Sequence, residues 1–460
     1  MDPRTRRLLE GPIGATLLRL AWPNIVLTMV QASVGLIETY FVAKLGTDAL
    51  AGMALVFPVV MLIQMMSAGA MGGGISSAVA RTLGAGRREA ADALVWHAVA
   101  IAIGLGLLTT LAAFLGGRAL YAAMGGSGDS LHAALAYSDT LFAGAVLIWL
   151  FNSLANVVRG TGNMWLPAAV ACVGALVLIP VSPILIFGFG IVPRLGIVGG
   201  AVAVIVYYAI GSAIFALYIW SGRGVLHPAL RPPRLTWPPA YEILRIGAVA
   251  SLVAVTTNLT IAIATGLVGA DGPAAVAGYG TGVRLEYLLI PLAFGLGAPL
   301  VAMVGTNIGA GRRERAMRIA WTGGAIAGAV TGAIGIAAAL FPEAWLGLFG
   351  DDPTMLAVGA QYLRIVGPFY GFFGAGMALY FASQGAGRLG WPLLAGLLRL
   401  AIAGAGGYLA LRLSGSIAGV FVALGLALAV FGLVNAASIW LGAWFRGLPP
   451  PDKRGPLPRP

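Results

Sequence analysis

Asn24, Gln31 and Glu38 stand seven positions apart in an otherwise apolar stretch. Steps of seven at 100° per residue return to within about 20° of the same helix face. The three therefore share one stripe, with Thr28 beside it. At 1.5 Å per residue the stripe runs about 21 Å, most of a bilayer's hydrocarbon thickness. A carboxylate at that depth is costly and marks a functional site by default. Low dielectric favours its neutral form, so Glu38 is suited to exchange a proton near neutral pH. Its two protonation states need different packing. Two readings stand for the stripe: an ion-coupling site centred on Glu38, or an interhelical hydrogen-bond seam. Pro23 removes a backbone donor in the same helix and offers it a place to bend.

The coupling ion can be argued from spacing. Na⁺ needs several oxygens around it, and the three stripe residues are about 10.5 Å apart at each step. One helix therefore makes no Na⁺ cage, whereas a proton needs only one desolvated carboxylate. A proton is favoured over Na⁺ on that ground. Other helices could complete such a cage: Asn152 and Asn156, one helical turn apart, face the same way, and spacing does not say whether they reach Glu38.

Glu286 lies in the run Val283-Arg284-Leu285-Glu286-Tyr287. Residues two apart on a helix do not face each other, so Arg284 and Glu286 each need another partner. Glu286 is read either as a second ion-coupling residue or as half of an ion pair with Arg399 or Arg364. Candidates to line a substrate cleft are Met61, Met65, Trp149, Asn152, Asn156, Asn258, Tyr279, Tyr287, Tyr370 and Phe373. Methionine adapts to varied ligands and aromatic faces hold cations. The plainer reading of most of them is helix packing.

Enzymatic chemistry finds no footing. There is no HExxH and no GxSxG, and His97, His132 and His227 are scattered. The turn GAGRRE lacks the GK[ST] ending of a phosphate-binding loop. The single cysteine, Cys172, permits no disulfide within the chain. No cofactor and no metal site are expected, and the protein is read as a non-enzyme.

The elements that position these residues are membrane helices. Hydrophobic residues make up 59% of the 460 and charged ones 10%, with mean hydropathy +0.92. Long apolar runs recur near 20–43, 52–80, 93–116, 135–158, 165–189, 196–220, 246–269, 275–306, 319–341, 358–384, 391–411 and 415–444. Each is long enough to cross a bilayer. The chain also says one thing twice. GAGRRE at Gly84–Glu89 returns at Gly309–Glu314, and the same offset of 225 carries Tyr137 onto Tyr362, Gly160 onto Gly385 and Pro167 onto Pro392. Duplicated halves in a membrane protein place the working site between them.

Charge sets the topology. The net charge of +12 suggests nucleic acid at first sight, but 21 of the 28 basic residues fall in the two tails and alternate loops. The positive-inside rule puts that side, with both termini, in the cytoplasm. An even number of crossings per half makes the repeats parallel. The expected fold is an all-α membrane protein of twelve transmembrane helices in two parallel six-helix repeats around a central cleft. The expected division is an N-terminal lobe 1–225, a Pro-rich cytoplasmic linker 226–240, a C-terminal lobe 241–445 and a disordered tail 446–460. Met71-Gly72-Gly73-Gly74 is the expected internal bend, since adjacent glycines weaken a helix.

Several motifs in this order resemble the multidrug and toxic compound extrusion (MATE) family. They are Ala21-Trp22-Pro23, Glu38-Thr39, Leu45-Gly46-Thr47-Asp48-Ala49-Leu50-Ala51-Gly52, the GAGRRE turn, Arg159-Gly160-Thr161-Gly162 and Tyr362–Pro368. The resemblance spans roughly residues 10–445. It implies a proton- or sodium-driven antiporter exporting amphipathic, often cationic, small molecules. Ala-, Gly- and Arg-rich usage suggests a bacterial inner membrane, and a monomer is expected. The family usually carries Asp where this chain has Glu38. A lipid-linked precursor flippase of the same superfamily is the alternative. Cavities of that kind tend to be basic, and the deep charges here are mixed.

Overall fold

The structure, a computed structural model, describes the backbone of residues 2–190 and 192–445, without the side chains of 31–36, 287, 288, 290 and 291. The expected tail 446–460 lies outside the described residues, as do the side chains of Gln31 and Tyr287.

A short helix α1 (Pro3–Glu10) precedes the first crossing, α2 (Ile13–Ala43). The second crossing is α3 (Thr47–Gln64), a π-helical segment Met65–Met71, and α4 (Gly72–Gly84). The third is α5 (Arg88–Ala123). The fourth is bent by 51° between α6 (Gly128–Ala143) and α7 (Ala145–Gly160). Helices α8 (Trp165–Phe187) and α9 (Ile197–Trp220) complete the first lobe. The second lobe repeats the order with α10 (Trp237–Val268), α11 (Pro273–Gly309) and α12 (Arg313–Leu340). A short α13 (Pro342–Leu346) leads to α14 (Pro353–Val366) and α15 (Tyr370–Gly385). Then come α16 (Gly390–Ala401), α17 (Gly407–Ser414) and α18 (Ile417–Trp440). Among the described residues eleven helices suffice to cross a membrane, and the bent pair α6–α7 makes the twelfth span.

The helices outrun the apolar stretches that predict them. The first begins at Ile13 rather than 20, because Arg19 interrupts hydropathy but not helicity. Pro23 is contained within α2, whose helical assignment runs through it without a break. The triple glycine does not interrupt the helix. Gly72, Gly73 and Gly74 are regular α-helix, and the irregular turns lie just before them at Met65–Met71. Neither Met nor Ala in that segment announces a π-helix.

The repeats meet about an axis that the residues locate. A Cβ built at Gly84 collides with the Thr306 carbonyl, and one built at Gly309 collides with the Arg81 carbonyl. Arg81 and Thr306, like Gly84 and Gly309, are repeat mates. The same contact made twice, with partners exchanged, is the signature of a twofold relation. It places the axis at the crossing of α4 and α11, at the end that carries both GAGRRE turns. Gly309→Ala is therefore expected to cost about 1–3 kcal/mol, the range for overpacking, read as a lower melting temperature of the purified protein.

That basic end is closed. Leu8 of α1 lies against Gly162, and the Asn307 amide donates to the Leu8 carbonyl at 3.1 Å. Arg4 donates to the Tyr218 hydroxyl at 2.8 Å and Arg312 to the Leu9 carbonyl at 2.7 Å, so α1 bridges both lobes. Further along, the lobes touch where Ile25 packs on Gly295 and where Asn258 reaches the Met65 sulfur at 3.9 Å. Beyond that level α3 and the far part of α10 part company. Phe57 and Met61 on one, and Leu259 on the other, are exposed. The cleft opens at the end opposite the arginines.

Candidate functional site

Glu38 in the first lobe and Glu286 in the second are set among helices, and the two environments differ. Glu38, near the open end of α2, is half-buried and points among α6, α8 and α9. The Tyr137 hydroxyl of α6 stands within 3.5 Å of Oε1 and donates to it. A Cβ at Gly200 of α9 would sit 3.4 Å from the same oxygen, and Ile186 of α8 lies beside it. The bare Gly200 backbone leaves the carboxylate its space. No basic group pairs with Glu38 among the described residues.

A polar network extends from this corner toward the π segment. The Tyr208 hydroxyl of α9 donates to Gln64 Oε1 at 3.4 Å, and Asn152 Nδ2 donates to the same oxygen at 3.2 Å. Asn152 Nδ2 also donates to Ser67 Oγ at 2.8 Å. One turn on, Asn156 Nδ2 donates to the Ala68 carbonyl at 3.2 Å and to the Asn152 carbonyl at 2.8 Å. A π turn displaces backbone carbonyls from their usual partners, and inside a membrane such groups need donors. Asn156 supplies one.

In the second lobe Glu286 of α11 is fully engaged. The Arg399 guanidinium of α16 lies 3.2 Å from Oε1, and the Tyr362 hydroxyl of α14 donates to Oε2 at 3.2 Å. Arg399 is itself held between the Phe373 ring, 5.3 Å away, and the Phe431 ring, 5.7 Å away. A cavity of about 20 Å³ beside them, bordered by Tyr279 and Thr260, has room for about one water. Of the two arginines that could have paired with Glu286, Arg399 is the one in place; Arg364 pairs with Glu343 at the surface, 2.9 Å away.

The other candidates scatter. Asn24 is 4% exposed at the closed end, and neither of its amide atoms has a hydrogen-bond partner among the described residues. It does not join Glu38. Met61, Met65 and Asn258 lie where the lobes diverge, in keeping with a place on the cleft. Trp149, Tyr279, Tyr370 and Phe373 do not: all are at most 3% exposed, inside their lobes. Trp149 donates to Thr109 Oγ1 within the first lobe at 3.0 Å. Large rings go where six helices can surround them, and a cleft wall offers only one side. Asn152 and Asn156 are buried behind the π segment rather than facing the cleft.

Spacing alone missed Tyr137, Tyr362, Gln64 and Tyr208. The repeat held a signal for two of them. Tyr137 and Tyr362 are repeat mates, and each donates to its lobe's carboxylate. The carboxylates themselves come from non-equivalent helices, α2 and α11, so no offset pairs Glu38 with Glu286. Among the described residues no three His, Cys, Asp or Glu side chains gather to hold a metal ion.

Comparison with known proteins agrees with this architecture. The family described as MatE matches residues 23–184 and again residues 248–409. A FAD transporter of Shewanella oneidensis is 28% identical over 80% of this chain and 81% of its own length. A probable multidrug resistance protein NorM of Thermotoga maritima is 27% identical over 83% of this chain and 82% of its own. The fold matches a crystal structure of MATE in the bent conformation with a TM-score of 0.88, at 24% identity, covering 96% of this chain and 98% of that one.

Proposed function

The chain belongs to the MatE family, whose members are transporters rather than enzymes, and on that premise we propose that it is a proton-coupled antiporter exporting amphipathic, often cationic, compounds by alternating access. The observation that carries the coupling is the contrast between the two carboxylates. Arg399 neutralises Glu286 inside the protein. Glu38 has a tyrosine hydroxyl but no basic partner among the described residues. A bare charge at membrane depth is costly, and a proton removes that cost. Protonated, Glu38 stays packed against Tyr137 and Gly200. Ionised, it needs water or a cation, which favours a different seating of α2 against α6, α8 and α9. Loss and uptake of one proton then bias two packings of one lobe, the requirement for coupling.

The substrate space in this reading is the cleft above Met65 and Asn258, lined by Met61 and neighbouring apolar side chains. Its apolar lining suits a partly apolar molecule. The likeness to the Shewanella oneidensis FAD transporter favours a second substrate class, an anionic aromatic dinucleotide. The lipid-flippase alternative gains nothing from the relatives above. The experiment is counterflow in vesicles loaded with a cationic dye, FAD or a fluorescent lipid. Dye export supports the main reading, FAD export alone the second, and lipid movement alone neither.

We further propose that the protein works as a monomer with its basic end and both termini in the cytoplasm. Glu89 and Glu314, exposed at the start of α5 and α12, test this. With Cys172 replaced by Ser, cysteines at either position are expected to react with an impermeant thiol reagent in inverted vesicles and not in intact cells. Labelling in intact cells would reverse the orientation.

A further inference from the structure

Gly72, Gly73 and Gly74 are regular helix. Each leaves room for a specific neighbour. A Cβ at Gly72 collides with the Asn156 amide, one at Gly73 with the Gln384 amide, and one at Gly74 approaches the Ile243 carbonyl to 2.9 Å. Asn156 belongs to the first lobe; Gln384 and Ile243 belong to the second. The triple glycine is a notch in which the second lobe docks.

Gln384 fills the notch and is fully buried. Its Nε2 donates to the Gly69 and Ala70 carbonyls, each at 3.3 Å. Both carbonyls lie in the π segment, where the widened turn presents them outward. The grip is two-sided. Ser77 Oγ donates to the Gln384 carbonyl, and also to the Gly385 carbonyl at 2.9 Å. Arg81 donates to the Gly385 carbonyl at 2.9 Å and pairs with Glu242 of α10 at 2.7 Å. All of these bonds cross from one lobe to the other. The repeat offers no second copy. The mate of Gln384 is Arg159, that of Gly73 is Ala298, and α11 runs through that level as regular helix.

We propose that Gln384 is a positioning residue that locks the π segment to the second lobe and sets the fraction of molecules closed at the basic end. For its part in transport the proposal rests on the alternating-access reading. The lock is polar, and that lets it release. When the lobes part at this end, water replaces the amide on the carbonyls, so neither state leaves them bare. A purely apolar seal has no such exchange. Replacing the amide by an isosteric apolar chain leaves the carbonyls unpaired only in the closed state, which shifts the balance toward the open one by about tenfold or more.

The test reads the inter-lobe distance directly. Spin labels at Glu89→Cys and Glu314→Cys, in the Cys172→Ser background, report the separation of the two GAGRRE turns in detergent without substrate or gradient. The unlocked variants Gln384→Met and Gly73→Ala are both expected to add a longer-distance population absent from the otherwise unaltered protein. Ser77→Ala should move it the same way by less, and serves if Gln384→Met fails to fold. The double variant Gly73→Ala/Gln384→Ala separates lock from packing. The methyl then has room, so recovery of the closed distance would mean that only volume matters and would overturn the proposal. Unchanged distances in Gln384→Met would overturn it equally. Absence of efflux in the unaltered protein would instead defeat the transport reading and leave the distances informative.

Discussion

Glu38→Gln is expected to reduce gradient-driven efflux to the level of cells lacking the protein, at normal expression and with a normal elution profile. Glutamine matches the shape of the protonated acid. Its carbonyl oxygen accepts the Tyr137 hydroxyl as Glu38 Oε1 does, and Gly200 leaves it the same space. The fold therefore loses little. What disappears is the ionised state, and with it the alternative seating of α2. The variant is frozen on one side of the cycle, so the loss falls on turnover rather than on substrate binding. Binding of a fluorescent substrate to purified Glu38→Gln should stay within about tenfold of normal, since uncharged packing changes of this size are worth less than about 1.4 kcal/mol. Full efflux in Glu38→Gln would remove the residue from the mechanism.

The second large effect concerns stability rather than transport. Glu286 and Arg399 have side chains only 12% and 5% exposed. Removing one partner strands the other charge in a dry lobe, which costs about 3–5 kcal/mol. Glu286→Ala and Arg399→Ala are each expected to lower the melting temperature of the purified protein sharply, with Arg399→Ala also leaving Phe373 and Phe431 without the guanidinium between them. The double variant Glu286→Met/Arg399→Met leaves no charge to strand. It is expected to recover most of the loss, because a buried pair and an apolar replacement of similar volume are close in energy. Additive losses in the double variant would show that the two residues act separately.

Membrane class, repeat and basic end were legible in the sequence because each is written locally. Apolar runs, the offset of 225 and the clustering of arginine require no knowledge of packing. Glu38 stood out for the same reason: it is an acid in an apolar run. Its partners did not, since Tyr137 is 99 residues away and meets it only through the fold. The candidate aromatics were misplaced because sequence distinguishes apolar from polar but not lobe interior from cleft wall. Gly72-Gly73-Gly74 was visible as unusual, but the sequence did not show what it admits. A glycine that admits a neighbour and a glycine that loosens a helix look alike until Gln384 and Asn156 are seen beside them. The π segment was not legible either, since nothing in Met65–Met71 distinguishes a π turn from an α-helix.

The claim at the centre is that a proton on Glu38 drives export. It is tested most directly by dye efflux from vesicles holding the purified protein, with a pH gradient or a sodium gradient imposed separately. Efflux driven by the pH gradient alone, indifferent to sodium and absent in Glu38→Gln, is the predicted result. Efflux that persists when the pH gradient is collapsed, and stops when sodium is withdrawn, would contradict it.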